Sequence, residues 1–251
     1  MDLESLEREI IACRRCPRLV EWRQQVARIK RRAYMDREYW GKPVPGFGDN
    51  GARILAVGLA PGAHGSNRTG RQFTGDASGR FLYPALMRAG LANQAESTDR
   101  ADGLRLSDLF ISAVCRCAPP GNKPLPEEMS NCQGYLEREI ELLQPRVIVC
   151  LGRVAFERIL RIFSIRDPAL RFAHGASYKL ITGPLTTAPL TTSSLITDPL
   201  TTDPLITVPL KTARWLLCSY HPSQQNTSTR KLTAPMFDEI WAKAKSLANE
   251  G

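Results

Sequence analysis

A chain of 251 residues is long enough for one large domain or two small ones with a sizeable buried core. Lys and Arg number 34 against 25 Asp and Glu, a net charge of +9 that suits a polyanionic partner and equally an ordinary basic protein. No apolar run approaches the roughly 20 residues that span a bilayer, and MDLESLEREI has no apolar stretch of the signal-peptide kind, so a soluble, intracellular protein is expected.

The chain opens with a helical segment, residues 1–50, that carries a CxxC at Cys13 and Cys16. Its basic stretch RIKRRAYMDREYW (28–40) reads either as a DNA-facing surface or as a solvated helix. RILAVG (53–58) is short, apolar and β-branched, and it ends in a Gly-rich loop, as a buried parallel strand should. Phe81 to Ala89 reads as an amphipathic helix stopped by Gly90. DLFISAVC (108–115) is the second strand. Pro126 to Leu143 is the next helix, with its proline and two glutamates at the start, where a fixed φ and negative charge are favourable. RVIVCLG (146–152) and RWLLCSY (214–220) are the third and fourth strands. Val154 to Phe163 and Pro235 to Leu247 are the last helices. Alternating strands and helices imply an α/β fold, a three-layer α/β/α sandwich around a central four-stranded parallel sheet. The whole chain, 1–251, is expected to be a single domain.

Residues 183–212 are foreign to this pattern. They read GPLTT, APLTT, SSLIT, DPLTT, DPLIT, VPLKT, a five-residue unit repeated with a proline in nearly every copy. Proline blocks a helix and an internal strand, and a period of five presents no single apolar face. The segment is expected to be a tandem-duplicated, exposed loop, extended or disordered.

Ligands bind beyond the carboxyl ends of parallel strands. Three suggestive loops fall there: GLAPGAHGSNRTGRQFTGD (58–76), RCAPPGNKPLP (116–126) and HPSQQNTST (221–229). His64 and His221, two of only three histidines, lie in the first and third. Of the seven cysteines, Cys150 and Cys218 sit inside apolar strands and read as core. Cys13, Cys16, Cys115, Cys117 and Cys132 lie at segment ends, where a metal could reach them.

GLAPGAHGSNRTGRQFTGD together with HPSQQNTSTRKLT resembles the uracil-DNA glycosylase superfamily, specifically family 5, the type B enzymes. CRRCPRL (13–19), EYWGKPVPGFGD (38–49), CAPPGNKPLPEE (117–128) and FAHGASY (172–178) carry the resemblance over almost the whole chain outside the repeat. It implies hydrolysis of the N-glycosidic bond of uracil and related damaged bases in DNA, leaving an abasic site. It implies a [4Fe–4S] cluster held by Cys13, Cys16, Cys117 and Cys132, with Cys115 left out on the strand side of its motif; spacing alone leaves a four-cysteine zinc site open. His221 is then the candidate donor to the base carbonyl, Phe73 the stacking ring and Asn122 the reader of the base edge. Gly58, Ala60 and His64 shape the base pocket. Ser223, Gln224, Gln225 and Asn226 would contact the DNA.

Leu59 and Ala60 stand where many uracil glycosylases carry an acid or amide. Asp76 is the candidate replacement for positioning water, and a helix cap is the competing reading of that residue. DNA is the expected partner, with no membrane partner, a monomeric state and a cytoplasmic, nucleoid-associated location. Two rivals are a non-hydrolytic iron–sulfur relative that retains uracil-DNA, and an iron–sulfur or zinc module without glycosylase chemistry.

Overall fold

The computed structural model describes residues 2–182, 205–208 and 215–250. Two helices come first, α1 (Leu3–Ala12) and α2 (Pro17–Ile29), followed by a 3-10 turn at Arg32–Tyr34. Asp2 caps α1 by accepting from the Ser5 N–H, and Pro17 opens α2 with its φ already helical. A two-residue strand β1 (Phe47–Gly48) leads to β2 (Ile54–Gly58), the short helix α3 (Ser66–Thr69) and α4 (Ala77–Arg88). Then come β3 (Leu109–Ala113), α5 (Pro126–Leu143), β4 (Val147–Leu151) and α6 (Arg153–Ile162). The chain closes with β5 (Ser177–Thr182), β6 (Leu205–Val208), β7 (Trp215–Ser219), α7 (Gln224–Ser228) and α8 (Ala234–Asn249).

The sheet order is β1-β3-β2-β4-β7-β5-β6. Its centre, β3-β2-β4-β7, is the expected four-stranded parallel sheet. Three further strands extend it: β1 and β5 antiparallel at its two sides, and β6 parallel to β5 at the far edge. Each is short or flanked by turn residues, so its pattern is too brief to stand out in the sequence. The repeat was expected to be an exposed loop, with proline barring a helix and an internal strand; at residues 205–208 the loop is corrected to an edge strand. Leu205–Val208 lies between Pro204 and Pro209 and occupies the sheet edge, where flanking prolines remove no central ladder bond. Residues 183–204 and 209–212 of the repeat lie outside the described residues.

Every residue of the four central strands is buried, and alternation divides them between two cores. Leu55, Val57, Ile148, Cys150, Leu216 and Cys218 point to one face, where Leu136 and Ile140 of α5 and Phe156 and Ile159 of α6 cover them. Ile54, Ala56, Ile111, Val149, Trp215 and Leu217 point to the other, under Leu82 and Leu86 of α4 and Phe237 and Trp241 of α8. This is the expected three-layer arrangement, and Cys150 and Cys218 are core residues as read. The first helix of the sandwich starts earlier than expected, at Ala77 instead of Phe81, because Asp76 caps it; Pro84 inside it hides the helical period. Helix α1 docks on α5 through Leu6, Ile10 and Tyr135.

Candidate active site

The carboxyl ends of β2, β3 and β7 open into one cleft of about 710 Å³. Gly58 and Ala113 form its floor, and the loops after the three strands form its walls. Of the residues singled out from the sequence, Gly58, Ala60, His64, Phe73, Asp76, Asn122, His221, Ser223, Gln224 and Gln225 all line it. Asn226 does not; its Nδ2 donates to the His221 carbonyl at 2.9 Å and so fixes the backbone that carries that histidine.

Phe73 and His221 face one another across the cleft, with ring centroids 5.7 Å apart and planes inclined by 32°. Phe73 has a φ of 51°, a left-handed conformation that a bulky residue adopts only when its surroundings impose it. The surroundings are visible. The Phe73 carbonyl accepts from Ser97 Oγ, the next-door Gln72 side chain donates to the Val44 and Pro45 carbonyls, and Tyr83 donates to the Gln72 carbonyl. Gly58 makes room for the ring, since a Cβ there would stand 2.8 Å from Phe73 Cζ.

Burial pushes the His221 imidazole down to about 4, so it is neutral at pH 7. A neutral ring still carries one N–H and can donate it without bringing a positive charge into a dry pocket. Asn122 ends the 3-10 turn Pro120–Asn122 with a φ of 57° and stands exposed at the cleft. Asp76 caps α4, the competing reading of that residue, and its second carboxylate oxygen is left over. One carboxylate oxygen accepts from the Gly79 N–H at 3.0 Å and caps α4; the other faces Gly62, where a Cβ would lie only 2.9 Å away. Burial raises its proton affinity, while the Gly79 and Ser78 N–H groups and nearby Arg80 and Arg68 oppose that rise.

Several contributing residues were not singled out from the sequence. Arg31 and Tyr34 line the cleft. The Tyr39 hydroxyl pairs with His64 Nδ1 at 3.1 Å, and burial together with Arg31 and Arg68 lowers the proton affinity of His64. His174, the third histidine, accepts the Tyr220 N–H at 3.1 Å and stacks on the Tyr220 ring, one residue ahead of His221. The only signal for it was its place in FAHGASY; the partner lies 46 residues away.

Cys13, Cys16, Cys117 and Cys132 line one small pocket between α2 and α5. Cys115 is buried on the strand side and is absent from that lining. Among the described residues no three His, Cys, Asp or Glu side chains stand tightly enough to hold a single metal ion. A mononuclear zinc, with Zn–S near 2.3 Å, draws its sulfurs to within about 4 Å of one another. Cluster thiolates bind different irons and stand farther apart. The pocket is also cationic: Arg116 lines it, and Arg23 donates to the Cys13 carbonyl. Both guanidinium groups are buried with Nε and Nη1 unpartnered, a costly arrangement that an anionic group held by four thiolates would relieve.

The family model described as "Uracil DNA glycosylase superfamily" matches residues 45–245. The chain is 49% identical over 249 residues to a type-5 uracil-DNA glycosylase of Thermus thermophilus, covering 99% of both chains. It is 45% identical over 251 residues to the type-5 uracil-DNA glycosylase of Mycobacterium leprae, covering 98% of this chain and 96% of the relative. A type-4 uracil-DNA glycosylase of Archaeoglobus fulgidus is 32% identical over 179 residues, 71% of this chain and 73% of the relative. With the cleft at the carboxyl edge of its parallel sheet and full-length likeness to type-5 relatives, the chain belongs to the uracil-DNA glycosylase superfamily, on its type-5 branch.

Proposed function

We propose that this protein is a base-excision repair glycosylase that hydrolyses the N-glycosidic bond of uracil and related deaminated or damaged bases in DNA, leaving an abasic site. The observation that carries the reading is the meeting of Phe73, His221, Asn122 and Asp76 in one cleft. A base flipped out of the duplex would stack on Phe73, and the Asn122 amide offers the donor and acceptor that an imide edge requires. As the bond breaks, negative charge develops on the base carbonyl oxygens. A neutral His221 aims its N–H at such an oxygen, and a fixed donor to developing charge gains strength where water is excluded. The Asp76 oxygen not used for capping can hold and orient the attacking water. Gly62 and Gly65 let the backbone pass close to this carboxylate, since a Cβ at either would collide with it.

The cysteine pocket fits a [4Fe–4S] cluster, held by Cys13, Cys16, Cys117 and Cys132, whose role is to fasten the N-terminal helices to the sheet. The unpartnered Nε and Nη1 atoms of Arg23 and Arg116 beside the four thiols support this reading.

The test is a duplex oligonucleotide with one uracil, incubated with the protein and scored for abasic-site cleavage. Excision by the wild type, reduced roughly 10²- to 10³-fold in His221→Ala, is the expected result. A stable complex without excision would point to the retaining relative, and no binding at all would overturn the reading.

A further inference from the structure

The segment from Arg28 to Arg37 crosses from the end of α2 to the mouth of the cleft. It carries Arg28, Lys30, Arg31, Arg32 and Arg37, against Asp36 and, one residue beyond, Glu38. Arg37 pairs with Asp36, whereas Arg28, Arg31 and Arg32 are exposed and make no ion pair among the described residues.

The segment is also fastened to the catalytic loop. The Arg31 N–H donates to Tyr39, whose hydroxyl pairs with His64. The Arg68 guanidinium lies 4.3 Å over the Tyr34 ring and donates to the His64 and Gly75 carbonyls. Lys30 Nζ folds back onto the Met35 carbonyl. Two apolar side chains, Ile29 at 65% exposure and Met35 at 58%, stand in the same stretch without a protein neighbour to cover them. A merely solvated face needs neither this bracing nor continuity with the active-site wall, which Arg31 and Tyr34 supply.

We infer that this braced segment is a DNA-backbone clamp, which grips phosphates beside the flipped nucleotide and holds the duplex at a fixed height above His64 and Asp76. Its contribution is independent of the base in the pocket. The inference rests on DNA being the substrate, but its test does not depend on excision. Each phosphate neutralised adds about 0.9 to the slope of log affinity against log salt on duplex DNA.

The experiment measures that slope on an undamaged duplex and on the same duplex with a tetrahydrofuran abasic analogue, for the wild type, R28Q/R32Q and R28K/R32K. Neither Arg28 nor Arg32 lines the cleft, and both are exposed, so thermal unfolding should be unchanged. The expected result is a slope shallower by about 1.8 in the glutamine variant on both duplexes, restored by lysine. R8Q, at a distant ion pair with Glu4, should keep the wild-type slope and serves as the control. A slope in R28Q/R32Q equal to the wild type overturns the clamp, even if uracil excision is normal. Wild-type protein that binds undamaged duplex through these arginines yet excises nothing would leave the clamp standing and remove the glycosylase reading.

Discussion

Asp76 carries two tasks on two oxygens, and substitutions can separate them. Asparagine retains an oxygen for the Gly79 N–H and is as good a cap, so Asp76→Asn should unfold within a few tenths of a kcal/mol of the wild type. If its free carboxylate oxygen orients water, that variant should still lose turnover sharply in a single-turnover excision assay; near-wild-type turnover would leave Asp76 as a cap alone. Asp76→Ala should lose the cap as well, about 1 kcal/mol by denaturant titration. His221 sets a pH expectation. Its imidazole loses its proton near 4 instead of the usual 6.5, so the excision rate should show no inflection near 6.5. An inflection there would mean that the working ring is exposed to water. His174 acts through another residue. It must remain unprotonated at Nδ1 to accept the Tyr220 N–H, and burial favours that state. His174→Ala should lower the excision rate more than it weakens binding to the abasic analogue, because it loosens the strand end that carries His221 but removes no DNA contact.

At the scale of elements, β5 and the repeat decide how β7 is delivered. Lys179 of β5 pairs with Trp215 of β7 in an antiparallel ladder. Deleting 183–212 would remove β6, which binds only to β5, and leave residues 180–182 and 213–214 to close a hairpin. A loop of about five residues is an ordinary hairpin length. β7 would keep its parallel partner β4, so the deletion should stay soluble and excise uracil at a rate within a few-fold of the wild type. An insoluble or inactive deletion would show that the β6 edge is needed. The repeat was legible as an insertion because its period matches neither helix nor strand. The edge strand at 205–208 was not legible, since edge pairing depends on the neighbour that happens to lie there.

For the whole molecule, the buried pair Arg71–Asp102 ties the active-site loop to the segment before β3. Burial alone would raise the Asp102 carboxyl, but Arg71 and the Leu104 and Thr98 N–H groups outweigh it and hold it at about 2. The unfolded chain therefore binds this proton first as pH falls below 3.8, and the stability it contributes is lost between about 3.8 and about 2. His221 acts at higher pH: its folded value is depressed, so the unfolded state takes up the proton first and stability falls from about 6.5 down to about 4. Acid titration followed by tryptophan fluorescence should show both windows in the wild type, and Asp102→Asn should lack the lower one. A single transition unchanged by that substitution would contradict the linkage.

The sequence by itself determined the central parallel strands, the helices between them and the loops that bear chemistry. Buried β-branched runs, proline at helix starts and glycine at strand ends act locally and leave local marks. It also marked the residues of the cleft, because the motif segments fall at strand ends. Tertiary structure alone decided the rest. Phe73 adopts a left-handed φ because partners from three other segments impose it. Asn226 turns from the cleft to the His221 carbonyl, and His174 reaches Tyr220 across a long connection. The side strands β1, β5 and β6, and the bracing of the basic segment through Tyr39 and Arg68, likewise join residues far apart in the chain. Hydrogen bonds and ring contacts of that kind have no period in the sequence; they exist only once the sheet has fixed where each loop begins.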